Sequence, residues 1–99
     1  MLLSIQDRVY LVSLMPEQDS IPNLLIRREI IDKVKISEQE ATEINLKQEK
    51  TILTWDKKAE EKEIDITQQE KEYIHNCISD LSSRRSFHDQ LLNLYFKFK

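Results

Sequence analysis

The stretch 44–66, INLKQEKTILTWDKKAEEKEIDI, decides how the chain is read, because it alone alternates apolar and polar residues while both flanks carry helical periodicity. Ile44 and Leu46, Leu53 and Trp55, and Ile64 and Ile66 are each two residues apart, which puts both members of a pair on one face of a strand. A sheet with one apolar face needs a cover, and the helical flanks are the only material for it. The expectation is an α+β domain with about four to five helices packed on a short antiparallel β-meander of two to three strands. The polar turn Gln48-Glu49-Lys50 lacks an Asn-Gly pair, which predicts a loop of three to five residues. Strand two then runs from Thr51 to Trp55, and strand three lies around Lys62 to Ile66, after the charged connector at 56–63.

Working outward, a first helix is expected from Ser4 to Met15, with Ser4 and Asp7 spaced as a capping box and Ile5, Val9 and Val12 as its apolar stripe. Pro16 ends it. Ser20 can cap a second helix with Pro22 in its first turn; Leu24, Ile26, Ile30, Ile31 and Val34 give it a broad apolar face that should be largely buried. The phrases Ile36-Ser37-Glu38-Gln39-Glu40 and Ile66-Thr67-Gln68-Gln69-Glu70 each place a hydroxyl three residues before a glutamate, the signature of a helix entrance. The fourth helix carries Tyr73, Ile74, Cys77, Ile78 and Leu81 on one stripe and ends at SSRRS, 82–86. Ser86 can cap a last helix in which Phe87, Leu91, Leu94, Tyr95 and Phe98 share a face, with Leu92 and Phe96 beside it. A helix apolar over more than half its circumference is either wrapped by the fold or covered by a partner.

The chain has 99 residues, read as a single domain, 1–99, with 39% hydrophobic and 33% charged residues. No apolar run approaches the roughly 20 residues of a membrane helix. Asp7 and Arg8 interrupt the apolar start, so a signal peptide is not expected and the protein is placed in the cytoplasm. Its one cysteine, Cys77, fits a reducing compartment. There is no glycine. A phosphate loop, a dinucleotide fingerprint and a nucleophile elbow all need glycine where backbone meets ligand or turns sharply, so these enzyme classes are excluded. Residues 56–72 carry seven acids and four lysines, whereas 84–99 carry Arg84, Arg85, Lys97 and Lys99 against Asp89, so the two segments can attract each other within a chain or across a dimer.

Chemistry-bearing residues are sparse. His75 and His88 lack the spacing and companions of a metal site, Cys77 falls on a buried stripe, and Glu60, Glu61, Glu70 and Glu72 sit in a lysine-laced solvent stretch, so no enzyme, cofactor or metal is expected. The fourth and last helices could be drawn as a helix-turn-helix, but 87–98 offers packing groups rather than base-reading ones and the chain is acidic, which argues against nucleic acid. Arg84 and Arg85 could hold an anion at the start of the last helix, and Trp55 could sit at an interface rim.

Ile44-Asn45-Leu46, Ile52 through Trp55-Asp56, Ile64-Asp65-Ile66-Thr67 with Glu70, and Leu94-Tyr95 with Phe98 give the chain, over residues 24–98, a resemblance to small proteins encoded by bacteriophages and prophages. The resemblance implies a setting inside a bacterial host cell, where such proteins bind and block a host component. The expected action is therefore protein–protein contact, inhibiting a host defence function, with Trp55, Phe87, Tyr95 and Phe98 as interaction residues and a homodimer formed through the terminal helix. The alternative is an oligomeric binder that sequesters a nucleotide with Arg84 and Arg85.

Overall fold

In the computed structural model, which describes residues 1–50, 52–56 and 61–98, four side-chain hydroxyls start four helices. Ser4 opens α1 (Ile5–Leu14), Ser20 opens α2 (Ile21–Val34), Ser37 opens α3 (Glu38–Glu43) and Thr67 opens α4 (Gln68–Ser83). Each hydroxyl accepts from the backbone N–H three residues on, satisfying a donor that has no partner inside the helix. Asp7 and Glu70 reach back to the cap backbone and complete capping boxes. Glu40, the glutamate of the echoing phrase, turns away instead, to Arg8. The last helix, α5 (Leu92–Lys97), follows a 3₁₀ turn at Asp89–Leu91. His88, not Ser86, stands at the start of that turn, and the Ser86 hydroxyl donates to the Arg84 carbonyl.

The α+β class is as read, but the meander is not formed. Strands β1 (Leu2–Leu3), β2 (Lys47–Glu49), β3 (Ile52–Thr54) and β4 (Lys62–Glu63) make two separate antiparallel pairs, β1 with β4 and β2 with β3. The third expected strand pairs with the start of the chain, Leu2 opposite Glu63 and Leu3 opposite Lys62, because the segment before the Ser4 cap is extended and buries Leu3 completely. Ile44 to Leu46 do not begin a strand either. They end α3 through a left-handed Asn45 (φ 54°), with the Leu46 N–H on the Ala41 carbonyl and the Asn45 N–H on that of Thr42. Glu49 pairs directly with Ile52, so the hairpin connection is tighter than the three to five residues expected; Lys50 takes the positive φ (57°) that glycine or asparagine usually supplies. Thr51 and residues 57–60 of the connector lie outside the described residues.

Helices make the core. The buried cluster draws on β1, α1, α2, Ile64 and Ile66 beyond β4, α4 and the C-terminal helix; among the described residues none comes from α3 or the β2–β3 hairpin. Two strands of three residues cannot bury a face by themselves, so the hairpin part of the stretch expected to organise the fold is peripheral to it, and only Ile64 and Ile66 at the end of that stretch join the core among the described residues. Helix α1 turns Ile5, Arg8, Leu11 and Leu14 inward and leaves Val9 and Val12 half-buried. Helix α2 is less buried than its composition implies: Ile30 and Val34 are enclosed, while Ile21 and Leu25 stay open to solvent. Among the described residues no helix is long and apolar enough to cross a membrane.

Arg8 is the reason α1 takes that orientation. It is 1% exposed, and its Nε donates to the Val34 carbonyl at 2.8 Å while NH2 donates to the Lys35 carbonyl at 2.9 Å. Those carbonyls end α2, where the last turn has no intrahelical donors left. Both guanidinium NH groups also grip Glu40, with NH2 at 2.8 Å from Oε1, in a bidentate pair that fixes the start of α3. Lys97 makes a second clamp, donating to Asp7 (2.7 Å), the Leu2 carbonyl (2.8 Å) and Glu61 (3.3 Å). The basic C-terminal segment and the acidic connector therefore meet within one chain. The hydrogen bonds to Asp7 and Glu61 hold the Lys97 ammonium above its ordinary value despite the burial that opposes charge there.

Arg8→Ala should cost about 3 kcal/mol in urea unfolding, because it strands two helix-end carbonyls and leaves Glu40 partly buried without its partner. Asp80→Ala, which removes an exposed partner of Arg84, should cost less than about 0.5 kcal/mol. A pH series tests the same network. The Arg8 hydrogen bond, against the cost of burial, holds Glu40 below the ordinary carboxyl value of 4.5, and at Glu70 the bonds from Lys33 and Thr67 outweigh a larger burial cost with the same result. A carboxyl that is more acidic folded than unfolded stabilises fully above its unfolded value, and that stability is lost as pH falls through its folded one. Stability should therefore decline as pH drops below about 4.5, and Glu40→Gln should be less stable at pH 7 yet lose less on acidification.

Candidate interaction surface

Helix α5 is two-sided. Leu91, Leu94 and Phe98 point into the core at 8%, 1% and 5% exposure, and Phe87 and Tyr95 pack half-buried at its edge. Leu92 and Phe96, four residues apart and therefore neighbours on the helix surface, remain 38% and 63% exposed. The Tyr95 ring meets Phe96 edge-on, with centroids 5.3 Å apart and planes at 61°. Of the interaction residues chosen from sequence, Phe98 is thus a core residue and Phe87 and Tyr95 border the core. The free apolar side chains are the two that the pattern set beside the main face. Their i, i+4 spacing was the signal for a second stripe, hidden because the helix is apolar over more than half its circumference. Trp55 is half-buried just past β3 and is not among the residues packed on the core cluster.

Arg84 and Arg85 close α4 rather than open α5. The Ser86 N–H bonds the Leu81 carbonyl at 2.8 Å and the Arg85 N–H bonds that of Ser82 at 3.0 Å, a Schellman closure with Arg85 at φ 55°. Arg84 pairs with Asp80 at 2.8 Å. A helix C-terminus carries negative partial charge, so the dipole here favours the arginines themselves and gives no help to a bound anion.

The polar chemistry elsewhere is quiet. Cys77 is buried, and burial pushes its thiol up despite the opposing effect of a neighbouring Tyr73, which leaves it neutral and a poor nucleophile. Burial likewise raises Tyr73, whose hydroxyl lies beside the Cys77 thiol and makes no well-formed hydrogen bond among the described residues. His75 and His88 are exposed, and among the described residues no group of three or more His, Cys, Asp or Glu is placed to hold a metal ion.

Comparison of the chain with protein-family models, with characterised proteins and with solved structures gives no match in any of the three.

Arg85 occupies a backbone conformation that costs a side chain with a Cβ roughly 1–2 kcal/mol, part of which glycine gives back through unfolded-state entropy. Arg85→Gly should therefore raise stability by about 0.5–1 kcal/mol in thermal or urea unfolding.

Proposed function

We propose that this chain is a non-enzymatic protein of bacteriophage or prophage origin that acts by binding a protein of the bacterial host and inhibiting it, with the outer stripe of α5 at the centre of the contact. The observation that supports this reading is the pair Leu92 and Phe96, left in solvent on a helix whose opposite face is fully used by the core. The Phe96 ring, edge-on to Tyr95, presents a large apolar area to solvent, and exposed aromatic side chains are the commonest interface anchors. The likeness of residues 24–98 to small phage and prophage proteins supplies the cellular setting. A specific interface buries about 800 Å² on each partner, so neighbouring surface must join the stripe. A second copy of the chain is the other occupant this face can take, since a two-fold contact needs only a self-complementary patch.

The test compares the wild type with Leu92→Ser/Phe96→Ser. Both side chains are exposed, so the double variant should keep its fold and unfold within about 1 kcal/mol of wild type. Its capture of the stoichiometric partner from host lysate should fall at least about tenfold. Unchanged capture would sink the proposal. Light scattering on the same samples separates the two occupants: a dimer that becomes a monomer in the variant identifies the partner as a second copy.

A further inference from the structure

The β2–β3 hairpin leaves the outer edge of β2 open. Its sheet has two strands, no third strand pairs with either among the described residues, and Lys47, Gln48 and Glu49 are all exposed. The register says which backbone groups face outward. Only two residues separate Glu49 from Ile52, so that closing pair exchanges both of its hydrogen bonds, and antiparallel alternation makes Gln48 and Leu53 the non-hydrogen-bonded pair. The N–H and C=O of Gln48 therefore point away from β3, out from the free edge of β2.

The side chains on this edge are their own complement. Open edges are commonly blunted by charge of one sign, often lysine, which repels a second copy. Strand β2 instead reads Lys47-Gln48-Glu49, with opposite charges on either side of a neutral residue. Laid antiparallel against another β2 with Gln48 at the two-fold axis, Lys47 meets Glu49 of the second copy and Glu49 meets its Lys47. Both contacts fall at non-hydrogen-bonded positions, where facing side chains come closest. Gln48 meets Gln48, whose amide both donates and accepts. Neither Lys47 nor Glu49 has an ion pair among the described residues. The matching edge of β3 centres on Leu53 between Ile52 and Thr54 and carries no charge to set a register.

We propose that two copies of the chain pair through β2, joined by reciprocal hydrogen bonds from the Gln48 N–H to the Gln48 C=O and by two Lys47–Glu49 ion pairs, in a four-stranded sheet ordered β3-β2-β2-β3. The contact goes beyond the host-binding reading and uses no residue of α5. One short strand buries far less than the roughly 800 Å² per partner of a standard interface, so the pair is weak and forms at about millimolar concentration.

The test is a dilution series of ¹⁵N-labelled protein from about 2 mM to about 20 μM, followed by amide shifts. Concentration-dependent shifts should centre on Gln48, and its N–H should exchange with solvent more slowly in the concentrated sample. Lys47→Glu and Glu49→Lys each turn both ion pairs into repulsions and should weaken pairing at least about fivefold. The double swap Lys47→Glu/Glu49→Lys restores both attractions in reverse and should pair within about threefold of wild type. The two single variants, mixed in equal amounts, should pair with each other. Both positions are exposed, so every variant should fold as the wild type does. The proposal is overturned by no concentration-dependent shift at Gln48 up to about 2 mM, or by a double swap that pairs as weakly as the single variants. Shifts centred on Leu53, which would place the contact on β3, or on Leu92 and Phe96, which would place it on α5, overturn it equally.

Discussion

One buried guanidinium holds three helices in register. Arg8 reaches the last carbonyls of α2 and the Glu40 carboxylate of α3, so the exit of one helix and the entrance of the next are both tied to α1. Burying a charge is costly unless it is paired and hydrogen-bonded, and here the guanidinium makes four hydrogen bonds to two carbonyls and one carboxylate. Exclusive pairing of that kind rules out neighbouring arrangements: were α1 rotated to turn its Val9 and Val12 stripe inward, the guanidinium would lose these acceptors. The apolar residues of α1 favour burial, and Arg8 decides which of them are buried.

Much of this was legible where the chemistry is local. Capping by Ser4, Ser20, Ser37 and Thr67 depends on residues three apart, and the α4 stripe from Tyr73 to Ile78 depends on residues three to five apart. Both can be read from spacing. What failed was long-range or depended on backbone that the residue type disguises. Alternation at Ile44 and Leu46 looked like a strand, but those residues close α3, a turn normally marked by glycine and here built with Asn45. Lys50 and Arg85 disguise two more turns in the same way. No pattern of spacing shows that the 62–66 segment meets Leu2 and Leu3, or that an arginine on an apolar helix lies inside, because both facts come from the far end of another element.

The surface is divided by a similar logic. The core uses one side of α5 and stops, leaving Leu92 and Phe96 outside it, while Lys97 on the same helix is clamped to Asp7, the Leu2 carbonyl and Glu61. That clamp limits how far α5 can shift, so a partner meeting the outer stripe would meet a preformed surface. Preformed surfaces lose less freedom on association than mobile ones.

Among the described residues the β2–β3 hairpin contributes no buried side chain to the core, and α3 joins it to the rest through the Glu40 grip. Its two strands can therefore separate while the core contacts among the described residues stay in place, which makes the hairpin a unit of low local stability attached to a unit of high stability. Sequence in the hairpin is accordingly released from the packing constraints that bind the helices. The protein can lengthen, recolour or replace this appendage over evolutionary time, or have a reporter or epitope inserted there, while the helical body keeps its shape.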